Sequence, residues 1–244
     1  MGVVTASYRR SIDVGGNAGS ILIGLPVGGL SASVNTGFGF VDASAGPALG
    51  DLIVGADLGL IGSPSLSPMD YAQYKPGFRA GVAAKLFLPT GDYSSARMVN
   101  IGQNRWTLHA SLPLSYVLAD SMIDGDITTF EIVPSVLIFG DNNDPFGPAT
   151  VSSQKPIFGL EAHVTRTFSP TVWGALDAHF ESGGEISANG VTAVKAQDTL
   201  ALGATLGLVL SRSLAVRLSY LEQVYSSAPN SAGRAVELTT AFSF

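Results

Sequence analysis

Residues Thr199 to Ser211 read TLALGATLGLVLS. Leu200, Leu202, Leu206, Leu208 and Leu210 share one parity, and Thr199, Gly203, Thr205, Gly207 and Ser211 share the other. A repeat of two is that of a β-strand, whose successive side chains point to opposite faces. FRAGVAAKLFLP (78–89) repeats the scheme, with Phe78, Val82, Leu86 and Leu88 against Arg79 and Lys85. RWTLHASLPLSY (105–116) sets Trp106, Leu108, Leu112 and Leu114 against Arg105, Thr107, His109 and Ser111. Segments of about ten residues with one apolar and one polar face have the length and period of transmembrane β-strands.

The composition asks for the same solution. Of 244 residues 46% are hydrophobic and only 13% charged, about half the roughly 25% charge of a soluble domain. Mean hydropathy is +0.33, yet no stretch reaches the 18 or so apolar residues of a membrane helix. SILIGLPVGGL is short and broken by Pro26 and its glycines. A chain with little charge and no spanning helix can still enter a bilayer as a closed β-barrel, which leaves no backbone edge in lipid. The net charge of −6 and the lack of a basic patch argue against a nucleic-acid partner. The absence of cysteine fits an oxidising, periplasm-facing compartment.

Period-two segments bounded by Gly, Asn, Asp, Ser and Pro clusters place eleven strands, at about 3–12, 20–34, 51–62, 78–89, 105–118, 128–140, 156–168, 171–182, 199–211, 213–225 and 235–244. Turns at Ser169-Pro170 and near Arg212 are tight, whereas 35–50, 90–104, 141–155, 183–198 and 226–234 are longer and polar. In outer-membrane barrels the long set faces outside. SPSLSPMDYAQYKPG (63–77) breaks the pattern, being long on the short-turn side. Bacterial barrels have even strand numbers, so the expectation is about 12 strands in the full form, with one preceding Met1. MGVVTASYRRSIDV lacks the basic start and apolar core of a signal peptide, which accords with that.

Phe78, Phe130, Phe168, Phe242 and Phe244 fall near the short-turn ends, and Trp106, Phe158, Phe180 and Tyr220 near the long-loop ends. All share the aliphatic face, as two interfacial girdles require. A soluble β-sandwich also alternates, but its solvent face carries more charge than this chain has. The fold class is therefore an all-β, antiparallel transmembrane β-barrel. It forms a single domain over residues 1–244, set in the lipid of the bacterial outer membrane.

KLFLPTGDYSSARMVNIGQNRWTLHASLPLSY (85–116) resembles the signature region of an outer-membrane family named for the meta pathway of phenol degradation. The likeness rests on Pro89-Thr90-Gly91, Tyr93, Asn100, Gly102, Asn104, Arg105 and Trp106. GADLGLIGSPSLSPMDYAQYKP, FGDNNDPFG and HFESGGEISANGV resemble further stretches, so that it runs from about Asp51 to Phe244. It is weaker before residue 50. The resemblance implies an outer-membrane transporter whose permeant is a small molecule, aromatic compounds among them.

On the inward face, Glu161, His163, Asp177, His179 and Glu181 stand on adjacent strands. Two histidines with three carboxylates have metal-ligand chemistry, but the spacing matches no dedicated site. A hydrogen-bonded charge ladder is the favoured reading. His109 and Ser111 form a His-x-Ser pair of the kind outer-membrane lipid hydrolases use. Both point inward, away from lipid, so no catalytic residue is assigned. Arg79, Lys85, Arg105 and Arg217 face Asp57, Glu131, Glu161, Asp177, Glu181 and Glu237. Such charges set ion preference in an open pore or pair across a narrow one; twelve strands lie between filled and water-filled barrels. Arg79, Lys85, Arg105, Glu131, Glu161, His163, Asp177, His179, Glu181 and Arg217 are the expected channel lining, with no cofactor and no metal. The functional expectation is passive passage of small molecules. A lipid-hydrolase barrel and a closed structural barrel are the alternatives.

Overall fold

The computed structural model describes residues 2–35, 40–120, 126–228 and 232–243; Phe244 of the expected girdle lies outside them. The wall is one antiparallel sheet. Its first strands are β1 (Gly2–Val14), β2 (Asn17–Asn35), β3 (Phe40–Leu49), β4 (Leu52–Ile61) and β5 (Phe78–Leu88). β6 (Thr107–Ser111), β7 (Leu114–Leu118), β8 (Thr128–Phe139), β9 (Ser152–Gln154), β10 (Ile157–Ser169) and β11 (Val172–Gly183) follow. β12 (Ile186–Ala188), β13 (Val191–Val194), β14 (Gln197–Ser211), β15 (Leu214–Ser226) and β16 (Arg234–Phe242) complete the series. The hydrogen-bonded path is β1-β2-β4-β5-β6-β8-β10-β11-β14-β15-β16, with β7 continuing β6 between β5 and β8. These wall strands are the eleven expected from the period-two segments.

Local chemistry explains the turns and the one break. Gly15 and Gly16 both have positive φ, 62° and 85°, and close β1 onto β2 as the two-residue hairpin that needs such angles. Pro113 has no N–H to donate, so the expected strand 105–118 is split into β6 and β7. Its carbonyl still accepts from Gly81 N at 3.0 Å, and pairing with β5 resumes at Leu114.

Four stretches expected to be irregular contain ordered segments. Within 35–50, β3 pairs with the far half of β2 from Val27 onward and lengthens the wall at its long-loop end. Its residues FVDASAGPAL do alternate, but the apolar parity is largely alanine and Gly46-Pro47 interrupts it, so the stretch reads as a loop. β9, β12 and β13 form a small separate sheet joining the loops at 141–155 and 183–198. In the connection 62–77, Ser67 caps a short helix, α1 (Pro68–Gln73). That segment is bound to the β1–β2 turn by Ala18 N to Ser63 O (2.9 Å) and Ser65 N to Gly16 O (2.8 Å).

Burial is the reverse of a soluble protein's. Buried apolar residues among those described are Ala45, Val99 and Val117, whereas Ser20, Asp51, Thr107, Asn142, Asp177 and Ser219 are buried and polar. Large apolar side chains lie exposed on the outward parity, Leu206 at 48% and Phe180 at 40%. All eight described girdle aromatics are exposed as well. Among the described residues, no strand pairs with the outer edge of β1 or of β16, and all of β1 is exposed. No described helix is long and apolar enough to cross a membrane.

An inverted protein responds to charge by face. Leu206→Arg, outward at mid-strand, is expected to lower unfolding free energy in lipid vesicles by about 2–4 kcal/mol. Thr199→Lys, inward on the same strand, should stay within about 0.5 kcal/mol. Tryptophan fluorescence during urea unfolding measures both.

Candidate functional site

The inward-facing charged residues of the wall border an open cavity of about 860 Å³. Its lining includes Arg9, Asp57, Arg79, Lys85, His109, Ser111, Glu131, Glu161 and Arg217. Alternation accounts for the set: register places Lys85 opposite both Gly55 and His109, and Glu131 opposite both Ser115 and His163. Part of the lining charge is paired. Arg9 binds Asp57 and donates to Ser20 Oγ at 2.6 Å, and Arg217 Nη2 lies 2.8 Å from Glu237 Oε1. Lys85 has no ion-pair partner among the described residues.

Of the residues expected to line a channel, Arg79, Lys85, Glu131, Glu161 and Arg217 face this cavity. His163, Asp177, His179 and Glu181 form an adjoining ladder on β10 and β11. There His163 Nδ1 is 2.7 Å from Asp177 Oδ1, and Asp177 is buried. Arg105 stands at the mouth of the wall. It precedes β6 rather than lying in it, at the long-loop rim, where its guanidinium sits 4.6 Å over the Phe139 ring and donates to Gln154 Oε1. Burial there pushes its pKa down. His109 and Ser111 both reach the cavity, but no hydrogen bond joins them among the described residues, so the contact a nucleophile needs from its base is missing.

Sequence reasoning missed the end of the cavity near α1. Leu66, Tyr71 and Tyr74 line it there. Tyr74 donates to Gly62 O at 3.0 Å, and its ring lies 6.0 Å from the Arg79 guanidinium. The signal was present, since SPSLSPMDYAQYKPG is too long for its side of the barrel. Its length indicates an anomaly; only the fold shows that the segment lines the cavity.

The opposite rim is a hydrogen-bonded knot. Buried Asp51 accepts from Gly91 N and Gln103 N, both at 2.9 Å, and Leu52 N donates to Thr90 Oγ1 at 3.0 Å. Gly91 and Gly102 pack backbone to backbone; a Cβ on Gly91 would come within 2.8 Å of the Gly102 Cα. Asn100 Oδ1 accepts from Ser94 N (2.9 Å), and its Nδ2 donates to Ser94 O and Arg97 O. Asn142 ties two loops together, donating to the Tyr93 hydroxyl at 3.0 Å and accepting from Asn104 Nδ2 at 2.8 Å. Tyr93 in turn donates to Asp144 O at 2.7 Å. On the knot's surface Arg97 Nη1 is 2.7 Å from Asp92 Oδ2, which holds the Asp92 carboxyl below its ordinary pKa and raises that of Arg97.

Comparison with known proteins bears on this arrangement in two ways. Residues 1–236 match the family described as "Putative MetA-pathway of phenol degradation". That match takes in the first fifty residues, where the motif likeness is weak. A crystal structure of an outer membrane channel from Pseudomonas putida F1 superposes with a TM-score of 0.75 at 19% identity. The superposition covers 98% of this chain and 81% of that one. At this identity the similarity is one of fold. No curated protein matches.

Asp51→Ala leaves two backbone donors of the knot without their acceptor. Proteolysis of 90–104 is expected to rise at least about tenfold, as befits roughly 1–3 kcal/mol of lost satisfaction, while the strand wall stays protease-resistant. Acid should loosen the Asp92–Arg97 clasp. A depressed carboxyl pKa means the stabilisation is present above the ordinary value of about 3.9 and is lost as pH falls through the lowered one. The Arg97 side-chain NMR signals of the folded barrel should report that loss.

Proposed function

The chain belongs to the MetA-pathway family of phenol degradation, and on that premise we propose that it is a passive channel of the bacterial outer membrane. Its permeants are small molecules, aromatic compounds among them. The observation that carries this reading is the cavity of about 860 Å³ on the inward face of the sheet, where Lys85, His109, Glu131, Glu161 and Arg217 stand among smaller apolar residues, while the other face of the sheet is apolar. Such a wall suits lipid outside and a hydrated solute inside. The neighbouring fold is described as an outer membrane channel, which supports the same reading.

Entry begins at the rim, where Asp51, Asn100 and Asn142 hold the loops in one arrangement and Arg105 is fixed against Phe139. A solute then meets Lys85, Glu131 and Glu161, charged groups of both signs that orient a polar or acidic ring substituent. It leaves past Tyr74 and α1. Passage needs no covalent step, and the His109–Ser111 arrangement gives no support to hydrolysis.

Proteoliposomes containing the full-length protein should swell in isotonic solutions of small aromatic acids faster than in disaccharide solutions. In planar bilayers Lys85→Glu should shift the reversal potential toward cation preference, and Glu131→Lys toward anion preference. A protein that assembles in the bilayer but gives neither swelling nor conductance would reject the channel reading.

A further inference from the structure

A group on the lumen wall adjoins the passage just described and shares Glu161 with it. In the β10–β11 register Glu161 lies opposite His179, and His163 opposite Asp177. Glu161, His163 and His179 each present one ligand atom, and these atoms all lie within 4.8 Å of one another. The two imidazoles meet edge to face with centroids 5.5 Å apart. Glu161 Oε2 is 3.5 Å from His163 Nε2, beyond the usual 2.7–3.2 Å of a hydrogen bond. Two donors bound to one tetrahedral ion at roughly 2.0–2.2 Å stand about 3.4 Å apart. The gap therefore fits two ligands of a shared cation.

The far side of His163 is organised to the same end. Its Nδ1 meets Asp177 Oδ1 at 2.7 Å, and Asp177 Oδ2 accepts from Thr205 Oγ1 at 2.7 Å. Ser219 Oγ lies 2.9 Å from that same hydroxyl. A carboxylate held in this way accepts the hydrogen bond from Nδ1–H, fixing the tautomer whose Nε2 lone pair is free on the side of Glu161. Imidazoles that bind metals carry this orienting partner on their other nitrogen.

We propose that Glu161, His163 and His179 form a lumenal binding site for a divalent transition-metal ion of the zinc class, with Asp177 as a positioning residue. Two imidazoles and one carboxylate suit such ions better than magnesium or calcium, which prefer oxygen donors. Three protein ligands leave one coordination position for water or a solute donor. Glu161 also lines the open cavity, so an ion has a path to the site.

The test is a Co²⁺ titration of the tag-free, full-length barrel in detergent, followed through the visible absorption of tetrahedral Co²⁺. One equivalent should bind, and Zn²⁺ should displace it. Glu161→Gln and His179→Ala should each weaken binding at least about tenfold. Asp177→Asn should weaken it ~10–100-fold with unchanged stoichiometry. Heat-modifiable gel mobility reports assembly, and the isosteric Glu161→Gln keeps the test decisive where His179→Ala fails to assemble. A wild-type barrel with no tetrahedral Co²⁺ spectrum, or equal affinity in Glu161→Gln, would overturn the site and leave an ion-pair ladder. Either result is independent of solute passage.

Discussion

Hydrocarbon offers no partner to a backbone N–H or C=O, and each one left unsatisfied there costs several kcal/mol. A chain without a spanning helix meets that constraint only through lateral pairing, strand to strand. The rest of the molecule follows. Pairing imposes the extended backbone, the extended backbone imposes alternation, and alternation delivers Leu206 and Phe180 to one face and Thr205 and His179 to the other. The inversion of burial, with Asp177 and Ser219 hidden and Leu176 exposed, is the same constraint seen in the side chains. Where the ladder fails locally, other contacts mend it: at Pro113 the strand breaks, yet Leu112 N reaches Pro134 O at 3.0 Å.

The wall was legible because its signal is repetitive. Each spanning segment has to satisfy the same two solvents, so each carries the same pattern and every repeat corroborates the others. β3 carried that signal only faintly: it extends a hairpin beyond the eleven-strand path, its apolar positions are mostly alanine, and Gly46-Pro47 breaks the run. The sheet of β9, β12 and β13 is too short for any period to show. Parity puts Arg105 on the inward side, and cation–aromatic contact with Phe139 and the hydrogen bond to Gln154 fix its height at the rim. Parity predicts direction along a strand and says nothing of where the strand begins.

Ionic pairs in the lumen follow a related logic. Arg9 with Asp57, and Arg217 with Glu237, bring together residues of nearby strands that register alone makes neighbours. These exposed or half-exposed pairs contribute little stability. Their effect is to neutralise charge close to β1 and β16, leaving Lys85 and Glu131 to shape the field farther round the wall. In the sequence the charges appeared as one undivided set. Dividing them into paired and solute-facing groups required the cross-strand neighbours, which alternation does not supply.

The residues that carry the family likeness lie mostly outside the cavity. Thr90, Gly91, Tyr93, Asn100, Gly102 and Asn104 all belong to the rim knot around Asp51 and Asn142, and Trp106 covers Gly140 beside it. Irregular backbone makes strict demands: two glycines in contact, an asparagine at φ 53° (Asn104), side-chain oxygens placed against particular N–H groups. Few residue types meet each demand, so such segments leave a readable motif. A lumen position asks only for a side chain compatible with water and its neighbours, and many residues qualify. The motif therefore identifies the architecture of the entrance, whereas the choice of solute resides in Lys85, Glu131, Glu161 and their surroundings, where one scaffold can carry different selectivities.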